Sequence, residues 1–193
     1  VAVIESGEVS DTFCYGWAQL NRVKMTTEHK IRTASISKIL VGIGAMLLYE
    51  NDIIDLDASI GKIWGTDIVN PFYPDSPVSI RTMLNHTSTI PAYSDDYSMY
   101  FRSVLNRFDD SFNNARPGSI EAYYYNNYAF RALGMTLELA ADEKLDKILH
   151  DNIYDPLGID AAFAAGDLVN TDKIVTLYDE NRKVERSAAT LST

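Results

Sequence analysis

Ser35 and Lys38 stand three residues apart in RTASISKIL (32–40), and an apolar run follows them to Leu48. At the start of a helix, positions i and i+3 share a face, so a hydroxyl and an amine would lie side by side. The positive end of the helix dipole stabilises negative charge on an oxygen placed there. An apolar setting disfavours an ammonium relative to a free amine. A serine nucleophile with a neighbouring base is the chemistry such a pair can do. The plain alternative is a serine that caps the helix and a lysine whose flexible stem carries its charge to water. A second Ser-x-x-Lys, Ser59 to Lys62, holds Gly61 between its members, and no rigid helix fixes the pair.

YYYNNY (123–128) offers tyrosine and asparagine two apart twice, as Tyr124 with Asn126 and as Tyr125 with Asn127. A phenol and an amide on one loop can shuttle a proton and bind a substrate amide. Equally, an aromatic loop can simply cap the helix that follows. His29, His86 and His150 are scattered without metal-ligand spacing, so neither a metal nor another cofactor is expected. His86 reads as a hydrogen-bonded structural residue. Gly42 and Gly44 fall inside a helical run and suggest close helix packing. No Gly-x-Ser-x-Gly elbow is present.

The elements that must position these groups can be read from periodicity. Residues 1–6 and 9–19 are β-rich and flank a Gly7 turn, which predicts a hairpin. SISKILVGIGAMLLYEND (35–52) predicts a helix apolar on nearly all sides, hence buried and central. Residues 79–88 turn helical, with Ile80, Met83 and Leu84 on one face. Further helices are expected at 97–108, 128–141 and 145–153, and a hairpin at 173–188 around residues 179–181. Strands, a buried helix, a helical middle and strands again suit a sheet domain carrying a helical insertion. The boundaries expected are a sheet domain of 1–65 and 156–193 around the central helix 35–50, and a mostly helical domain of 66–155.

Composition narrows the partners. The chain has 193 residues, 46% hydrophobic and 23% charged, an ordinary globular balance. A net charge of −10 repels a phosphate backbone, so nucleic acid is not an expected partner. Cys14 is the only cysteine, which excludes an intrachain disulfide. The run from Ile39 to Tyr49 is too short to cross a bilayer.

Several phrases in order resemble the penicillin-recognising serine hydrolases of the class C β-lactamase type. This group includes D-alanyl-D-alanine carboxypeptidases, related esterases and D-aminopeptidases. GWAQ and IRTASISKILVGIGAMLLYENDIIDLDASIGKI look like its front. SIRTMLNHTSTIP resembles its ITIRHLLTHTSGLP stretch, with Thr89 where glycine is usual. PGSIEAYYYNNYAFRALGMTLE resembles its PGxxFxYSNxGYxLLGxIIE, and DPLGI (155–159) its PLGM. Aligning FRALG (130–134) selects Tyr125 and Asn127 over Tyr124 and Asn126, with a small insertion after Pro117.

The resemblance implies an α/β (α+β) fold of the β-lactamase/transpeptidase type. It implies Ser35 as the acylated nucleophile, Lys38 as its proton partner, Tyr125 as a second acid/base group and Asn127 as a binder of the substrate amide. The partner implied is a small-molecule or peptide substrate: a D-Ala peptide, a β-lactam or an ester. A location outside the cytoplasm goes with this. The family's third motif, Lys or His, any residue, then Gly, is absent, because no Lys or His here has Gly two positions on. The expectation is therefore a fragment of a longer protein or a natural truncation, incomplete at the C-terminus and weak or inactive in turnover. Open sheet edges would favour a homo-oligomer. The runner-up is a non-catalytic penicillin-binding or sensing module of the same fold. A helix-rich interaction domain with accidental motifs is the third reading.

Overall fold

The structure is a computed structural model that describes residues 1–92 and 112–184. By contacts the chain divides into two compact units, one of Val1–Ala34 with His150–Thr193 and one of Ser35–Leu149. The expected boundaries lay at 65 and 155. The difference is in where the central helix belongs: its packing partners are helices, and it groups with them.

In the first unit, β1 (Ala2–Glu5) and β2 (Glu8–Thr12) pair antiparallel across Ser6-Gly7, whose φ angles are 53° and 84°. Positive φ at both central positions matches the twist of the flanking strands. The expected single stretch over 9–19 is broken at Gly16, where φ is 85°. Beyond it, β3 (Trp17–Gln19) pairs with β4 (Val23–Lys24) in a separate two-stranded sheet. Lys30 forms a parallel bridge to Ile174 and an ion pair with Asp160, and the amides of Val169 and Asn170 also donate to Asp160. The expected tail hairpin is formed as far as it is described. Tyr178 bridges Val184, and Asp179 Oδ1 accepts from the amides of Asn181 and Lys183.

The second unit is helical. Its elements are α1 (Lys38–Glu50), α2 (Gly61–Trp64), α3 (Ile80–Leu84), α4 (Asn127–Ala141) and α5 (Leu145–Leu149). On α4 the residues Ala129, Ala132, Leu133, Thr136 and Leu137 are buried. This i, i+3, i+4, i+7, i+8 stripe is the face a helix turns to a core. Each fully buried Leu, such as Leu133, contributes roughly 1.5–3 kcal/mol. Trp64 Nε1 donates to Thr136 Oγ1 at 2.9 Å, which ties α2 to α4 through a polar pair inside the core. The helix expected at 97–108 lies outside the described residues.

α1 departs from expectation. Only Gly44, Ala45 and Leu48 are buried. Ile39 is 64% exposed and Tyr49 48% exposed. An apolar helix is not thereby a buried one: α4 and α5 cover one stripe of α1, and the described chain leaves the opposite face open. Of the two glycines, Gly44 bears the close approach, since a Cβ there would meet Leu145 Cδ1 of α5 at 2.5 Å. Gly42 has only an ordinary contact to Leu84 at 3.9 Å.

Candidate active site

A 3₁₀ turn, Ala34–Ser37, precedes α1, and Ser37 rather than Ser35 holds the cap position of the α-helix. Lys38 is the first residue of α1, and its Nζ donates to Ser35 Oγ at 3.2 Å. The same Nζ donates to Asn127 Oδ1 at 2.7 Å. The Tyr125 hydroxyl donates to Ser35 Oγ at 2.8 Å. Ser35 Oγ therefore accepts from two proton-bearing groups, while Asn127 braces the lysine. Ser35 is an exposed residue, and Lys38 is half-buried.

The other Ser-x-x-Lys makes no such pair: Ser59 Oγ accepts from the Gly61 amide at 3.2 Å, and Lys62 is exposed. Of the two Tyr-x-Asn registers, Tyr125 and Asn127 are the ones brought to Ser35 and Lys38. Asn126 turns the other way, as side chains alternate along an extended segment. It is 3% exposed, accepts from the Ala129 amide at 3.0 Å as the N-cap of α4, and donates Nδ2 to Ile90 O at 2.7 Å. Tyr124 is exposed, and its amide donates to His86 O at 2.9 Å.

His86 sits immediately beyond α3. Ser79 and Thr82 start that helix with a reciprocal capping box. At its other end the His86 amide donates to Met83 O at 3.1 Å and the Thr87 amide to Thr82 O at 2.8 Å. These two bonds form a Schellman stop with His86 in the left-handed position, φ 59°. Its Nδ1 accepts from the Asn126 amide at 3.1 Å. The ring lies 4.6 Å from the Tyr125 ring and 4.8 Å from that of Phe130.

Charge in the site follows this geometry. Lys38 and then Ser35, both bonded toward the phenol, hold Tyr125 below the usual tyrosine value. Burial, with the positive charge of Lys38 behind it, holds His86 below the usual histidine value. Among the described residues no cluster of three or more His, Cys, Asp or Glu could hold a metal ion.

Reading from sequence missed Asn126 as an anchor, and it gave His86 as a hydrogen-bonded structural residue without its partner. An asparagine just before an apolar-periodic run is an N-cap signal and could have found Asn126. The His86 bond carries no local signal, because its partner is forty residues away.

A sequence model of the family described as Beta-lactamase matches residues 1–191. The chain belongs to the β-lactamase family. A curated relative, Penicillin-binding protein 4* of Bacillus subtilis (strain 168), is 25% identical over 168 residues, covering 82% of this chain and 36% of the relative. The octameric penicillin-binding protein homologue from Pyrococcus abyssi matches with a TM-score of 0.74 at 19% identity, over 95% of this chain and 45% of that one. The β-lactamase/D-alanine carboxypeptidase from Yersinia pestis matches with a TM-score of 0.68 at 20% identity, over 80% of this chain and 48% of that one. The fold is thus of the β-lactamase/transpeptidase type, with mixed helix and strand, and the family is one of serine hydrolases. The chain spans about half the length of these matched structures or less.

Proposed function

We propose that this β-lactamase-family chain carries an acylation site in which Ser35 Oγ attacks the carbonyl of a D-Ala peptide, a β-lactam or a small ester. The observation that supports this is the convergence of Tyr125 at 2.8 Å and Lys38 at 3.2 Å on the hydroxyl of one exposed serine. In its phenolate form Tyr125 takes the Ser35 proton as the Oγ–C bond forms and the carbonyl pair moves onto oxygen. Lys38 is the proton partner whose charge favours that phenolate. The Ser35 amide lies in the first turn of a helix, where amides have no intrahelical acceptor, and faces the oxyanion. Asn127, its Oδ1 engaged by Lys38, has Nδ2 to donate to a substrate amide.

Collapse of the tetrahedral adduct breaks the C–N or C–O bond. The leaving atom takes the proton from Tyr125, and the acyl group remains on Ser35. Water then attacks this ester, gives its proton to Tyr125, and Ser35 leaves as it regains one. Acylation is a sharper reporter than turnover here, because one oxyanion donor is assigned and each missing donor costs roughly 10²–10³-fold.

The substrate class rests on what the relatives are called, a penicillin-binding protein and a β-lactamase/D-alanine carboxypeptidase. A site outside the cytoplasm accords with wall peptides as substrates; no described helix is long and apolar enough to cross a membrane. Self-association belongs to the same reading, since the Pyrococcus abyssi homologue is described as octameric and Ile4 and Val9 of the hairpin are exposed.

Intact mass after incubation with a fluorescent penicillin, an activated ester and a D-Ala peptide tests the site. An adduct on Ser35 that is lost in Ser35→Ala supports it. Labelling elsewhere, or none from any of the three, overturns it.

A further inference from the structure

Left-handed backbone costs an L-residue roughly 1–2 kcal/mol, and glycine takes the position after a helix end without that cost. His86 occupies it nonetheless, at φ 59°. What the imidazole does there is therefore the question. Its Nδ1 accepts the Asn126 amide at 3.1 Å, its carbonyl accepts the Tyr124 amide at 2.9 Å, and its ring lies 4.6 Å from that of Tyr125. The residues on both sides of Tyr125 are thus bonded to His86, and the ring between them lies against it, tilted by 40°. Tyr125 itself is 46% exposed, so this contact is what the described residues supply on one face of its ring.

Building on the site reading above, we propose that His86 is a positioning residue. Held as the Nε2–H tautomer with Nδ1 as acceptor, it fixes segment 124–126 so that the Tyr125 hydroxyl meets Ser35 and Lys38. It touches neither substrate nor Ser35 and acts only through Tyr125. The role requires a neutral ring, because a protonated imidazole has no acceptor at Nδ1. Among the described residues, the charged and titratable groups facing it are Lys38 from α1 and Tyr123 and Tyr125 from the loop, and none of these is a carboxylate.

Two substitutions separate positioning from stability. His86→Gly keeps the left-handed backbone at no steric cost and removes the acceptor. His86→Asn tolerates the same backbone and returns an acceptor, Oδ1, close to where Nδ1 was. The readout is the titration of Tyr125, followed by NMR of ring-labelled tyrosine in the full chain and assigned with Tyr125→Phe. It needs no substrate.

In the wild type Tyr125 titrates below an ordinary phenol. In His86→Gly it is expected to return toward the ordinary value, with Ser35 acylation by penicillin slowed about 10–100-fold, the scale of a small misplacement. Relief of the left-handed strain offsets the lost acceptor and ring contacts, so the thermal midpoint should change little, and His86→Asn should keep titration and rate within a few-fold of wild type.

A folded His86→Gly with wild-type titration overturns the proposal, as does a His86→Asn as impaired as His86→Gly. Should His86→Gly not fold, the imidazole ¹⁵N shifts of the wild type decide: a proton on Nδ1 at neutral pH overturns the proposal, and its absence there supports it. If Ser35 takes no acyl group at all, the functional reading fails while the Tyr125 titration still reports on His86.

Discussion

The Tyr125 hydroxyl donates to Ser35 Oγ at 2.8 Å across ninety residues of sequence. Two short loops thus meet at one oxygen, and Lys38 stands behind both of them. With its phenol held below the usual value by Lys38 and Ser35, Tyr125 reaches its phenolate form at a lower pH than a free tyrosine. The acylation rate should therefore rise with pH along a limb whose midpoint lies below the ordinary tyrosine value. Tyr125→Phe should remove that limb and slow acylation by about 10²–10⁴-fold, the usual contribution of a positioned acid/base group. The side chain is exposed, so thermal stability should hardly move. Stopped-flow acylation across pH checks this, and an unchanged limb in Tyr125→Phe would sink the assignment.

The folded state holds His86 below its ordinary value near 6.5 through burial and Lys38. As pH falls, the unfolded chain takes up this proton before the folded one does. Stability contributed by neutral His86 is thus fully present above about 6.5 and is lost as pH falls through the lower folded value. Asp57 and Asp160, held down by Arg81 and Lys30, lose their contributions only at more acid pH. Urea midpoints between pH 7 and 5 should fall in the wild type and run flatter in His86→Asn. Parallel curves would contradict the shift.

How much of this was legible in the sequence differs from element to element. Ser35 with Lys38 is local, and a helix start makes i and i+3 neighbours, so the pair could be read directly. The choice of Tyr125 over Tyr124 could not be made from spacing. It needed the resemblance through FRALG (130–134), because both registers have equal local chemistry.

Thr89, standing where glycine is usual in the resembling stretch, shows a further limit. Its φ is 62°, so the position does demand left-handed backbone. Threonine is accommodated by a partner nineteen residues away: Asn70 Nδ2 donates to Thr89 Oγ1 at 2.9 Å. A bond of that range leaves no trace in local pattern. The exposed face of α1 is the converse case. Apolar composition on all sides was read as burial, but composition states what a helix can cover and not what the chain lays against it.

Gly42 and Gly44 look alike in sequence and should behave oppositely. Gly42→Ala adds a methyl where, among the described residues, only Leu84 is near, at 3.9 Å, so the gain in helix propensity should stabilise by roughly 0.5–1 kcal/mol. Gly44→Ala makes the same gain but drives its Cβ to 2.5 Å from Leu145 Cδ1. Crowding a packed contact costs about 1–3 kcal/mol. The net effect at Gly44 should be neutral to destabilising, and chemical denaturation of both variants reads the contrast. Equal stabilisation by the two would mean that α1 and α5 do not approach closely at Gly44.

Asn126 lies between Tyr125 and Asn127 yet points away from the site. Its Oδ1 caps α4 through Ala129 N–H at 3.0 Å, and its Nδ2 satisfies Ile90 O at 2.7 Å in a buried setting. Asn126→Ala loses the cap, about 1 kcal/mol, and leaves a carbonyl unpaired, about 1–3 kcal/mol. The sum expected is a loss of roughly 2–4 kcal/mol. Asn126→Asp keeps the cap acceptor but sets a buried carboxylate oxygen against Ile90 O, so at neutral pH it should be no more stable than alanine. Acylation should decline in both variants, because the two flanking residues hang from this side chain. A stable Asn126→Ala with a wild-type rate would show that Tyr125 and Asn127 are held from elsewhere.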